Sequence, residues 1–130
     1  MIIKKITYTD YDGNQRTEEF RFNLSKAELI EMELSETGGM EKMLKRIIAE
    51  QDTKKIMEIV KAIILKSYGK KSDDGRMFVK SEELSREFSQ TEAYSELLIE
   101  LMSDENAASA FMNGLVDGLV PSDTPVIKTV

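Results

Sequence analysis

Seven apolar residues between positions 56 and 68 constrain this chain more than any other feature: Ile56, Met57, Ile59, Val60, Ile63, Ile64 and Tyr68. At about 3.6 residues per turn they fall on one arc of roughly 180°. Lys54, Lys55, Glu58, Lys61 and Lys66 occupy the other side. An arc that wide has to be covered from two directions. The spacing therefore predicts a central core helix over Thr53–Tyr68, capped at its start by Asp52. Gly69 is placed to end it in the left-handed conformation that closes many helices.

Upstream, residues 2–24 read as a β-hairpin, with β-branched and aromatic residues on both sides of Asp12-Gly13-Asn14. A two-residue Asp12-Gly13 loop would set Ile6 opposite Glu19 and mix the two faces. Pairing Ile6 with Phe20, Ile2 with Leu24 and Asp10 with Arg16 joins apolar to apolar and acid to base. That register predicts an odd-length loop such as Asp12–Asn14, or a compensating bulge. A lone hairpin is marginal in water, so its apolar face must meet helices or another strand. Asp10, Asp12 and Asn14 also start like a calcium loop, but Gln15 and Arg21 stand where that motif needs Gly and Glu.

Ser25-Lys26-Ala27-Glu28 is a capping box with Leu24 and Leu29 as its hydrophobic staple, so a helix starts at Lys26 and stops near Ser35. Met40, Met43, Leu44, Ile47 and Ile48 have the spacing of a second amphipathic helix. After the central helix comes a polar loop, Lys70–Met77, from which Phe78 and Val79 return to the core. A short helix Glu82–Phe88 is capped by Ser81. The box Ser89-Gln90-Thr91-Glu92 opens another, running to about Met102. Asp104 caps a last helix, which ends before Pro121. The expected fold is α+β, predominantly α: an N-terminal β-hairpin and five to six helices in one compact domain, 1–120, with a flexible tail, 121–130.

Composition narrows the chemistry. The 130 residues include no cysteine and no histidine. Zinc–thiolate sites and disulfides are thereby excluded, and the commonest general base and metal ligand are missing. No catalytic, cofactor or metal site is predicted. The longest apolar run, Ala62–Leu65, is four residues, far below the roughly 20 that span a bilayer. The N-terminus lacks the apolar core of a signal peptide, and a cytoplasmic protein without a membrane anchor is expected. A net charge of −6 argues against bare nucleic acid as a partner.

Most of that charge is local. From Glu82 to Glu105 there are eight acids against Arg86 alone. Glu92, Glu96, Glu100 and Asp104 form an i, i+4 ladder, either a solvated flank or an acidic strip that steers a basic partner. Eight methionines fill a core or furnish an adaptable surface. Ile99 and Leu65 project toward the polar sides of their helices. On the last helix Ala107, Ala108, Phe111, Leu115 and Leu119 share a face, while Gly114 and Gly118 weaken it and admit a close neighbour. A loosely held terminal helix is a natural docking surface, and Leu98, Met102, Phe111, Leu115 and Leu119 are its candidate partner contacts.

Two stretches carry a resemblance beyond physics: TYTDYDGNQRTEEFRFNLSKAELIEMELS and ILKSYGKKSDDGRMFVKSEELSREFSQTEAYSELLIEL. Together they resemble the phage tail assembly chaperones of long-tailed phages and prophages of Gram-positive bacteria, over roughly residues 3–120. The resemblance implies a small, mostly helical, non-enzymatic factor in the host bacterial cytoplasm. It would coat the tape measure protein and bring tail tube protein to it, and many members also have a frameshifted longer form. Self-association is a further expectation for a small domain with spare apolar surface. The alternative from another class is a phage or host regulatory adaptor or inhibitor that binds a single folded partner.

Overall fold

Alternating side chains make the first strand two-faced, and the structure uses both faces. In the computed structural model, which describes residues 1–35, 45, 49 and 51–116, β1 (Ile2–Thr9) pairs antiparallel with β2 (Gln15–Phe22). Ile2, Lys4, Ile6 and Tyr8 turn inward, while Ile3, Lys5, Thr7 and Thr9 are exposed. On the outer face Lys5 lies opposite Glu19, and the hydroxyls of Thr7 and Thr17 are 2.9 Å apart. Opposite charges and paired threonines both favour such a ladder.

The loop has the expected odd length, but the register differs. Ile2 pairs with Phe22, Lys4 with Phe20 and Ile6 with Glu18, a slip that leaves every side chain on its predicted face. The loop is Tyr11-Asp12-Gly13, not Asp12–Asn14. Gly13 takes φ 84°, the left-handed value that the last residue of a three-residue loop requires and that glycine adopts without strain. Asp10 secures it. Its carboxylate accepts from the backbone N–H of Asp12 and of Asn14, each at 2.9 Å, and from Arg16 Nε at 2.5 Å.

The capping box closes in both directions. Ser25 N–H donates to Glu28 Oε1 at 2.8 Å and Glu28 N–H donates to Ser25 Oγ at 3.1 Å, starting α1 (Lys26–Ser35). Leu24 and Leu29 are both buried beneath it. The apolar residues of the expected second helix, Met40, Met43, Leu44, Ile47 and Ile48, lie outside the described residues.

Helix α2 (Thr53–Ser67) is capped by Asp52, which accepts from Lys55 N–H at 3.1 Å. It is covered chiefly along its last turns: Ile63 and Ile64 are buried, Ile56, Ile59 and Val60 half-buried, and Met57 is exposed. Its end differs from the expectation. Tyr68 is extended and Gly69 is not left-handed; the helix runs directly into β3 (Tyr68–Lys71), which pairs with β2 through Arg21↔Gly69 and Phe22↔Tyr68. A tight turn then returns the chain as β4 (Phe78–Val79). Phe78 is half-buried and Val79 exposed, because adjacent strand residues face opposite ways. The result is a four-stranded sheet in the order β1-β2-β3-β4.

Helix α3 (Glu82–Ser89) starts at the predicted cap, with Leu84 N–H donating to Ser81 Oγ at 3.0 Å. The next capping box is not used. Ser89 Oγ donates to the Arg86 carbonyl at 2.6 Å and finishes α3, and Thr91 caps α4 (Glu92–Ser103) instead. Asp104 caps α5 (Glu105–Val116) by accepting from Asn106 N–H at 2.9 Å. The fold is thus α+β, with five helices among the described residues.

Aromatic rings join the layers. Tyr68 of the sheet stacks on Phe88 of α3, with ring centroids 4.3 Å apart. Phe22 meets Phe88 and Phe111 edge to face, and Phe88 meets Tyr94. Offset and edge-to-face ring pairs favour such arrangements beyond simple area burial. The cluster ties β2, β3, α3, α4 and α5 into one core.

Candidate partner-binding surface

The five apolar residues singled out from the sequence divide three ways. Phe111 and Leu115 are core: they are 4% and 2% exposed, and Phe111 packs on Phe22. They do not form an outward surface in this conformation. The reason is the sheet, whose inner face the spacing within α5 could not reveal. Leu98 and Met102 are half-buried on α4. Leu119 lies outside the described residues, as does Gly118. Gly114 does admit a close neighbour, but the neighbour is the side chain of Ile2 on β1, where a Cβ would lie 2.7 Å away.

The acidic ladder is largely engaged within the chain. Glu100 bridges Lys4 of β1 at 2.8 Å. Glu92 lies beside the Tyr11 hydroxyl; local desolvation and this carboxylate both push the Tyr11 pKa up. Asp104 is the cap of α5. Glu96 is exposed. The flank therefore runs along the hairpin, and its acids are held by a lysine, a tyrosine and a helix N-terminus, which offsets like-charge repulsion.

The structure directs attention to another place. A small apolar dimple of about 20 Å³ opens between α2, α4 and α5, lined by Val60, Ile63, Leu101, Ala108, Phe111 and Met112. Met112 and Val60 are half-buried at its lip, and Met57 lies one turn of α2 away, 40% exposed. Ile99, 60% exposed, is the outward misfit of α4 as expected, whereas Leu65 is half-buried. Helical spacing marked Val60 and Met57 as apolar positions of α2. What it could not supply was the position of Val60 next to α5.

The described residues hold one buried polar oddity, the Tyr94 hydroxyl, which has no hydrogen-bond partner; burial raises its pKa. No group of three or more metal-ligating side chains occurs among the described residues. No described helix is long and apolar enough to cross a membrane. What the surface offers is apolar side chains at helix edges, set beside charge.

Comparison with known families decides the class of protein. The family model described as phage tail assembly chaperone matches residues 1–124. This chain belongs to that family. No curated protein and no solved structure matches it. As a tail assembly chaperone it is a factor that binds tail proteins. The match covers the hairpin, every described helix and β3–β4. The elements around the dimple lie within the matched residues.

Proposed function

We propose that this chain is a non-enzymatic chaperone of the host cytoplasm that binds the tape measure protein and helps recruit tail tube subunits during tail morphogenesis. The family match over residues 1–124 carries this reading. The physical support is the kind of surface available. The family resemblance implies a long, helical tape measure protein, and amphipathic helices are held by apolar side chains at i, i+3 and i+4 spacings seated in a groove. Val60 and Met112 at the dimple, Met57 one turn further along α2, and Leu98 and Met102 on α4 are the contacts we assign. Flexible methionine side chains suit a surface that accepts many turns of one long helix. Phe111 and Leu115 support this surface from within by fixing α5, and Leu119 is kept as a candidate contact on its sequence spacing alone. Glu96 and the exposed side of Glu100 add the charge that steers basic segments toward it.

The experiment is co-expression with the tape measure protein of the same phage, comparing wild type with Met112→Glu and Leu98→Glu. Wild type is expected to yield soluble tape measure protein in a complex with many copies of this chain per partner. The two variants are expected to keep native helicity and lose the complex. A tape measure protein that stays insoluble, while this chain elutes alone, overturns the function and favours a regulatory adaptor. Undiminished complexes with both variants overturn the assigned surface.

A further inference from the structure

The loop bond from Asp10 N–H to the Asn14 carbonyl, 2.8 Å, determines which residues of β1 bond to β2. Hydrogen-bonded pairs recur at every second residue of an antiparallel ladder. Tyr8, Ile6, Lys4 and Ile2 therefore exchange backbone bonds with Arg16, Glu18, Phe20 and Phe22. The bond from Asn23 N–H to the Ser67 carbonyl on the other side of β2, 2.8 Å, obeys the same alternation. It follows that the N–H and C=O groups of Ile3, Lys5, Thr7 and Thr9 point off the sheet.

Strand β1 is the outer strand, and among the described residues no backbone group bonds to these four. Soluble proteins guard such edges by shortening them, bulging them, or placing proline or charge on them. The opposite edge, β4, follows this rule with only two residues. The β1 edge carries only the last of these guards, its lysines. It runs for eight residues with unbroken pairing to β2 and contains no proline. Its inward lysine, Lys4, is bound by Glu100 at 2.8 Å, and Ile3 is 48% exposed. Lys5 is left as the one outward charge on the strand.

We propose that β1 pairs antiparallel with β1 of a second copy about a two-fold axis, joining two four-stranded sheets into one. Charge selects the register. Only residues 3, 5, 7 and 9 can supply the new bonds, so the shift must be even. Two registers overlap the strand most fully. One sets Lys5 opposite Lys5 of the second copy, which is unfavourable. The other centres on Ile6 opposite Ile6, and sets Lys5 opposite Thr7, Ile3 opposite Thr9 and Lys4 opposite Tyr8 of the second copy. No like charges meet, Ile3 gains a β-branched neighbour, and all four outward residues gain backbone partners. The edge is thus complementary to itself in one register, which singles out a second copy as its occupant. The pairing is independent of the tape measure reading, since it uses β1 and needs no tail protein.

The test uses the full chain, with sedimentation equilibrium over a range of concentrations and circular dichroism to verify the fold. Wild type is expected to dimerise. Thr7→Lys puts two lysine pairs in the interface and is expected to weaken the dimer by about tenfold or more; Thr7→Glu faces Lys5 twice and is expected to strengthen it comparably. Because the chain has no cysteine, a mixture of Ile3→Cys and Thr9→Cys variants, which keep Lys5, can report the register. The mixture should form an oxidised cross-link between copies, while either variant alone should not. A wild type that stays monomeric overturns the proposal, and so does a dimer indifferent to both Thr7 variants. Cross-linking of Ile3→Cys with Thr7→Cys in preference to Thr9→Cys would overturn the register.

Discussion

A methyl group added at Gly69 would lie 2.6 Å from the Phe78 ring and 2.6 Å from the Val79 carbonyl oxygen. The ring can shift, but the carbonyl belongs to β4 and is held by the β3–β4 ladder. Gly69→Ala is therefore expected to destabilise the fold by about 1–3 kcal/mol through overpacking, read as a lower denaturant midpoint with an unchanged slope. A midpoint within error of wild type would mean that the hairpin relaxes freely. The same residue shows where sequence reasoning stops. A glycine after an amphipathic helix has two common uses, a left-handed stop or a close approach. Choosing between them needs the neighbour, and Phe78 is nine residues further along the chain. Gly13 was ambiguous in the same way: its presence predicted the turn, while its place within the loop set the register.

At the scale of elements, the local signals were the legible ones. Ser25 with Glu28, Asp52, Ser81 and Asp104 all cap the helices assigned to them, because a cap and its amide lie within a few residues. Strands β3 and β4 were not legible, since two to four residues carry no periodicity and their partners are remote. Glu28 joins the two kinds of contact. Besides closing its capping box it accepts from Lys80 Nζ at 2.6 Å, linking α1 to the segment before α3. Burial alone would raise its pKa; the Lys80 ammonium and the Ser25 amide outweigh that and hold it below the ordinary 4.5. The ionised pair thus contributes stability that is fully present above 4.5 and is lost as pH falls through the lower, folded value. Glu28→Gln is expected to cost about 1 kcal/mol near neutral pH and to flatten the acid limb of a stability–pH profile. Parallel profiles for the two proteins would show that Glu28 carries none of that dependence.

For the whole molecule, α5 belongs to the core before it belongs to any partner. Phe111→Ala is expected to lower stability by about 3–5 kcal/mol, whereas Met112→Ala, at the lip of the dimple, should cost much less; comparative thermal unfolding would rank them. Equal losses would mean that Met112 is as deeply packed as Phe111. Apolar spacing identified the face of α5 but not what it faces, because a core contact and a docking contact demand the same side chains. The junction of α2 with β3 adds a mechanical consequence. No loop separates them. The Ser67 hydroxyl donates back to the Ile63 carbonyl at 2.7 Å, and Asn23 N–H donates to the Ser67 carbonyl at 2.8 Å. Helix and strand therefore meet as a crank, with its corner at Tyr68 and an arm of about 20 Å, the helix itself. A load placed near Met57 would reach the sheet through that corner, with no intervening loop to absorb it.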